Sequence, residues 1–465
     1  MTAVTRCLAE LLATTRASDL PAQVHEDTRR SVLDWLGSAL AGSVETPARL
    51  ARQAVAGMGA SDEATVFAAG RASAAVAAFA NGVASHILEL DDIHKASTVH
   101  GAAPIIPAAL AVAEREHASG PAFLTAVALG YEAGLRVGEA VNPSHYRYWH
   151  PTGTAATFGA AAAAGALLRL NPDQMVDALG NAGTQAAGLW EFNADGAMSK
   201  HLHPGKAAFN GVLSADLARV GFTGARRILE GDRGFFHAMS AGHDPTRITD
   251  GLGSRWKICE NGYKLHACCG HTHSAIDAAL ELREAQRWSR EQALDCVAGV
   301  HVETYGPGYE IVKQAMPASP YQAKFSMAYC VAAALLEGQV GLEQFAAGRF
   351  DRTGVLETGV AALLPRVRVT VAEDLTAKYP AAWPVRLTVA LADGRTVSAA
   401  SDYPRGNQEN PVSTRELERK LTALVGARVG AGTAGAALAV LGQLDTCPDV
   451  STLFRGLLTD DRSHR

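Results

Sequence analysis

Residues 198–211 read MSKHLHPGKAAFNG, which places Lys200, His201, His203 and Lys206 beside Pro204 and Gly205 in a chain that is net acidic. Ammonium groups bind carboxylates, and imidazoles exchange protons near neutral pH. Pro204-Gly205 reads as a break, with a helix starting near Lys206, so that backbone N–H groups and lysines are aimed at one place. The stretch is read as a cationic socket for an anion, against the alternative of a solvated polar loop.

Three further stretches carry similar chemistry. Residues 85–110 hold His86, Glu89, Asp91, Asp92, His94 and His100 ahead of a Gly/Pro-punctuated return to helix. A carboxylate beside an imidazole fixes its tautomer and raises its basicity, as a general base requires. The competing reading is a polar loop capping two helices; a metal site is less favoured, because no HxxxH or HxH spacing occurs here. In residues 142–159, Tyr146, Arg147, Tyr148, Trp149 and His150 precede Pro-Thr-Gly-Thr. Thr152 and Thr154 are expected to cap the following helix, whose N-terminus would hold an anion near His150 and Arg147. In residues 260–280, Cys268, Cys269, His271 and His273 invite a zinc reading, but adjacent cysteines and H-x-H lack the paired spacing of structural sites. No nucleophile elbow surrounds the cysteines. Lys264, His266 and His273 are therefore assigned charge and shape in a pocket at a domain seam.

The composition bounds the rest. With 465 residues, 48% of them apolar and 19% charged, the chain reads as globular and long enough for two or three domains at ~150 residues each. A formal charge of -5 and the absence of any Lys/Arg block argue against a nucleic-acid surface. The longest apolar tracts are Ala/Gly-rich and short of a membrane span, and the first residues show no signal peptide. Seven cysteines, an odd number, favour reduced thiols and a cytoplasmic compartment.

Positioning these stretches requires helices first. Residues 24–42, 72–90, 103–117, 121–140, 152–169, 173–190 and 206–220 show helical periodicity filled by alanine, and Asn171-Pro172 starts one of them. After about residue 265 the period changes. Residues 295–305, 366–371 and 385–400 alternate as strands, with Asp393-Gly394 as a hairpin turn. Helices at 273–286 and 324–336 lie between them, and the last 50 residues return to helix. The fold class read from this is mainly α with a smaller α+β domain. A large all-helical domain built from both chain ends (1–267 and 406–465) is interrupted by an inserted α+β domain (268–405).

Five ordered blocks, among them NGVASHILELDDIH, WHPTGTAATFG, MSKHLHPGKAAFNG, KLHACCGHTHSAID and AKFSMAYCVAAALLEG, make the chain resemble the MmgE/PrpD family. That family includes 2-methylcitrate dehydratase, cis-aconitate decarboxylase and iminodisuccinate epimerase. The resemblance implies a homodimer and cofactor-free chemistry on a small di- or tricarboxylate, and no residue is assigned to a metal. Its acidic loop falls on Asp91 and Asp92, its loop histidine on His100, the histidine before proline on His150 and the lysine of the Ser-Lys motif on Lys200. Glu89 stands where members commonly carry an aspartate, Ile93 where a hydroxyl residue often follows the pair, and Leu265-His266-Ala267 follows Lys264 where many read Pro-Tyr-Pro.

Catalytic roles are expected for His100, His150 and Lys200, with Asp91 and Asp92 orienting the histidines and Tyr146 or Tyr148 as a further acid. Asp92, Lys206, His203, Lys264, His266 and Arg147 are assigned to substrate binding. Removing a proton or CO₂ next to a carboxylate builds charge that lysines and helix N-termini stabilise. The expected activity is that of a 2-methylcitrate dehydratase-like hydro-lyase, with decarboxylation of a cis-aconitate-like acid and epimerisation of an iminodisuccinate-like acid as alternatives. A non-catalytic polycarboxylate-binding protein is the alternative of another class.

Overall fold

The computed structural model describes residues 3–58, 61–351, 354–356 and 358–457. It is mainly α with a smaller α+β portion, as the periodicity predicts. Helices of ten residues or more are α1 (Val4–Thr14), α2 (Ala22–Ser43), α3 (Thr46–Val55), α4 (Ala74–His86), α5 (Ala102–Arg115), α6 (Gly120–Val141), α7 (Ala155–Leu167), α8 (Pro172–Gly183), α9 (Ser199–Arg219), α10 (His273–Gln286), α11 (Met327–Glu337), α12 (Thr414–Arg428) and α13 (Ala431–Gln443). No described helix is long and apolar enough to cross a membrane. Residues 458–465 of the predicted C-terminal helical stretch lie outside the described residues.

Two compact units form. The first comprises Met1–Ile87, Asp91–Asn261 and Ser413–Arg465. Its core is a stack of α4, α5, α6, α7 and α9. Helix α7 is buried on every side, and its Ala/Gly sequence explains how: small side chains let neighbouring backbones come close enough to exclude water. The Asn171 side chain caps α8 by accepting from Gln174 N at 3.0 Å, and the Gln174 side chain accepts from Asn171 N at 3.1 Å.

Helix α9 departs from the sequence reading. It starts at Ser199 rather than near Lys206, so Pro204 and Gly205 lie inside it. Proline removes the N–H that would bond the Lys200 carbonyl. Close packing is what the pair supplies instead. A Cβ on Gly205 would lie 2.5 Å from Val83 Cγ2 and 2.8 Å from the Phe79 carbonyl oxygen, while a Cβ on Gly82 would meet Gly205 Cα at 2.9 Å. Helices α4 and α9 therefore touch backbone to backbone here, and the lysines and histidines of 200–206 ride on helical turns, not on a loop.

The second unit, Leu88–Leu90 and Gly262–Val412, carries a four-stranded sheet. Strand β1 (Val297–Thr304) pairs in parallel with β2 (Val367–Val371) and antiparallel with β3 (Val385–Leu391), which pairs with β4 (Thr396–Ser401). The order is β2-β1-β3-β4. The β3–β4 turn is the predicted Asp-Gly turn: Gly394 sits at φ 86°, and the Asp393 carboxylate accepts from Arg395 N at 3.0 Å. Helices α10 and α11 pack on each other.

The close α4–α9 approach generates a stability prediction. Gly205→Ala gains about 1 kcal/mol of helix propensity, but overpacking costs about 1–3 kcal/mol, and one of the obstructing atoms is backbone. A lower urea midpoint for the variant is expected; an equal or higher midpoint would show that α4 and α9 separate freely.

Candidate active site

The site is built around the chain segment that leaves α4. Helix α4 ends at His86, and the segment from Asp91 to His100 returns to the start of α5. A short antiparallel bridge closes it, with His94 N donating to Val99 O at 2.9 Å. Thr98 takes φ 54°, a conformation that costs a β-branched residue about 1–3 kcal/mol. Beneath the segment, Lys257 Nζ lies 2.9 Å from Glu139 and 3.1 Å from Glu260, and His94 Nε2 lies 3.6 and 3.5 Å from the same carboxylates. Burial opposes ionisation of Glu260, but His94 and Lys257 outweigh it and pull the carboxyl down to about 2.

Asp91 and Asp92 are fully buried and serve different partners. Asp91 Oδ2 lies 2.6 Å from His86 Nδ1 and 3.2 Å from His100 Nδ1. Burial favours its neutral form, yet the two imidazoles hold it well below the usual carboxylate range. Asp92 accepts from Ala102 N at 2.9 Å, Tyr131 Oη at 2.5 Å and Asn261 Nδ2 at 2.7 Å. Burial pushes it up to about 7 against those three donors. Sequence reasoning placed Asp92 among the substrate contacts; its oxygens instead tie the start of α5 to Tyr131 and Asn261.

Around Asp91 stands a group of imidazoles. His86 lies ring to ring with His100 at 4.7 Å, with His150 at 5.6 Å and with His201 at 6.2 Å. His150 Nδ1 is 3.0 Å from His203 Nδ1. His100 is fixed at two points: its ring Nδ1 donates to the Asp92 carbonyl at 2.7 Å, and its backbone N donates to Thr152 Oγ1 at 3.1 Å. Burial, then the neighbouring His203, His86 and Lys200, keep His150 well below its ordinary value, hence neutral at pH 7. His203 is lowered to about 4, first by burial and then by His86, Lys206 and Lys200. Lys200 is buried at 2% exposure, close enough for its charge to act on both rings.

The structure brings His100, His150, Lys200, Asp91 and His203 together, and it adds His86. Other predicted residues go elsewhere. Lys206 Nζ donates to the Gln185 carbonyl at 2.8 Å, tying α9 to the turn after α8; burial lowers its basicity. Arg147 is exposed, with its guanidinium 5.2 Å from the Tyr148 ring centre. Tyr146 is half-buried with its ring against Trp190. Thr152 and Thr154 do not cap α7 with their side chains. Thr152 receives the His100 N–H, and Thr154 Oγ1 lies 2.7 Å from His145 Nε2. Tyr131, Asn261 and Thr152 are the supporting residues that sequence reasoning did not assign to the site.

In the second unit, Lys264 Nζ lies 3.1 Å from Glu89 Oε2, both groups buried, and Glu89 takes φ 59°. His266 Nε2 lies 2.9 Å from Asp277, whose other oxygen accepts from Arg405 N at 2.7 Å. Both predicted substrate contacts thus have acidic partners inside their own unit. Cys268 Sγ faces Thr272 Oγ1 at 3.1 Å, and His271 Nδ1 lies 2.6 Å from Tyr305 Oη. All seven cysteines are free thiols.

The buried histidines set a pH response. Between about pH 4 and 6.5 an unfolded chain binds protons that folded His203 refuses, so stability falls as pH drops through that window. At full titration this amounts to on the order of 3 kcal/mol for one such histidine. The denaturant midpoint is expected to fall from pH 7 to pH 4, and His203→Gln to flatten the slope; an unchanged slope would remove the assignment.

Comparison with known proteins supplies the remaining context. The MmgE/PrpD N-terminal domain matches residues 6–248 and the MmgE/PrpD C-terminal domain residues 266–445. A cis-aconitate decarboxylase-like protein of Aspergillus oryzae is 29% identical, covering 97% of this chain and 96% of its own length. The cis-aconitate decarboxylase of Aspergillus terreus is 30% identical over 88% of this chain and 86% of its own. Human cis-aconitate decarboxylase is 27% identical over 97% and 95%. With both domains matched in order over most of its length, the chain belongs to the MmgE/PrpD family.

Proposed function

We propose that this chain is a lyase that decarboxylates cis-aconitate or a closely similar unsaturated tricarboxylate by acid–base chemistry alone. The observation that carries the reading is the buried set of His100, His150 and Lys200 around an ionised Asp91. A carboxylate substrate needs a fixed cation, and carbanion chemistry needs a proton donor within reach. The names of the relatives favour CO₂ loss over the dehydration that the sequence reading ranked first.

The bond from a methylene carbon to its carboxylate breaks, and that electron pair becomes a new carbon–carbon double bond. The original double-bond pair moves to the far carbon, beside a remaining carboxylate, and takes up one proton. CO₂ leaves, and the product has one carboxylate fewer. Lys200 holds the carboxylate beside which charge develops. His100, partnered by the Asp91 carboxylate, supplies the proton. His150, kept neutral, orients substrate by hydrogen bonding. The substrate's own conjugated carboxylate takes up the charge, and no cofactor enters the step.

A proton NMR time course in D₂O tests this with cis-aconitate, 2-methylcitrate and iminodisuccinate offered separately. Itaconate carrying one deuterium is expected from cis-aconitate. An olefinic acid from 2-methylcitrate would install a hydro-lyase instead, and α-proton exchange in iminodisuccinate an epimerase. No turnover of any of the three would leave the reading of a polycarboxylate-binding protein. His100→Ala and Lys200→Ala are each expected to lower kcat/KM by about 100-fold or more, the usual weight of an acid or a charge clamp. Intact turnover in both variants would sink the assignment.

A further inference from the structure

Asp91 Oδ2 meets two imidazoles, and they are not equivalent. His86 Nδ1 lies 2.6 Å away and His100 Nδ1 3.2 Å. The His100 nitrogen gives its hydrogen to the nearer Asp92 carbonyl at 2.7 Å. The imidazole hydrogen that Asp91 receives therefore comes from His86.

Stability does not account for this pair. His86 and Asp91 are both fully buried. Among the described residues, His86 Nε2 and Asp91 Oδ1 have no hydrogen-bond partner. Unmade buried hydrogen bonds are costly, and well-packed apolar side chains often replace a buried charged pair without loss. A polar pair kept under those conditions points to function.

Burial alone would discharge Asp91. His86 is the foremost of the groups that outweigh it, ahead of His100. Asp92, the next residue, shows the contrast: with an amide, a phenol and a carboxamide as donors, it rises to about 7. The His86 ring itself faces His100 at 4.7 Å, His150 at 5.6 Å and His201 at 6.2 Å, while Lys200 and His203 act on His150.

We propose that His86 is a positioning residue whose Nδ1–H locks the Asp91 carboxylate in place beside His100. The locked carboxylate stays charged and draws a proton onto His100, the acid of the functional reading above. The role in turnover rests on that reading; the state of Asp91 does not.

Two variants separate this role from packing. His86→Leu fills the space without an N–H, and His86→Asn returns an N–H near the place of Nδ1. In His86→Leu, kcat on cis-aconitate is expected to fall at least about tenfold with KM changed less than about threefold, because His86 acts through Asp91 and not on substrate. Activity is lost as pH falls through the Asp91 transition. That acid limb moves up by about one pH unit or more once the nearer imidazole is gone, and His86→Asn moves it back. An unmoved limb in folded His86→Leu, or equal shifts in both variants, would overturn the proposal.

Infrared difference spectra need no substrate. At about pH 5.5, where exposed carboxyls are ionised, His86→Leu is expected to show one protonated-carboxyl band more than the unmodified protein. Adding Asp91→Asn removes it. Lack of the band overturns the inference whether or not any acid is turned over. The band without turnover of the three acids by the unmodified protein overturns the functional reading alone. Should His86→Leu not fold, proton NMR of the histidine-labelled unmodified protein decides. An exchange-protected imidazole N–H shifted downfield by its carboxylate is expected, and its absence overturns the contact.

Discussion

Two neighbouring carboxylates, Asp91 and Asp92, are buried with no exposed surface, and they cannot both be treated alike. A buried charge is tolerated only where opposite charge or several donors offset its desolvation. Asp91 meets that condition with two imidazoles. Asp92 meets it with a backbone amide, a phenol and a carboxamide. The peptide between them therefore divides two settings: one side faces the imidazoles, and the other fastens the segment to α5, Tyr131 and Asn261. Release of Asp92 would free the start of α5 and with it the Asp92 carbonyl that orients His100.

That division works only because the helices carrying the imidazoles are very close. His86 closes α4, and Lys200, His201 and His203 occupy the first turns of α9. Gly82 and Gly205 let the two backbones touch, which brings His86 and His201 to 6.2 Å. From the other side, α7 is preceded by His150 and Thr152, whose hydroxyl takes the His100 amide. Small residues in α4, α7 and α9 are thus part of the site's geometry. They set the distances over which neutral histidines suppress one another's protonation.

The sequence made the helical unit and the sheet legible because the hydrophobic period changes from 3.6 to 2 where the strands begin. It also made His100, His150, Lys200 and Asp91 visible, since polar residues among alanines stand out and the ordered blocks point to one family. The start of α9 was misread for a definite reason: Pro-Gly is a strong break signal locally, and tertiary contact with α4 overrode it. Thr152 and Thr154 resembled caps, but Thr152 takes the His100 backbone amide and Thr154 faces the His145 ring. His86 stood out with the other polar residues of 85–110 but was given no role of its own. Tyr131 and Asn261 gave no signal, because they reach Asp92 across 39 and 169 positions of chain. Arg147 carried charge at an attractive position, yet aromatic Tyr148 offers its guanidinium an exposed seat.

The outward ties of the three rings fix the geometry of the group. Each Nδ1 faces Asp91, the Asp92 carbonyl or His203, which holds each ring at a fixed orientation. For the carboxylate substrate proposed above, Lys200 would be the attraction and the imidazoles would move or hold protons. The charge of Lys200 is then what biases the site toward the anion.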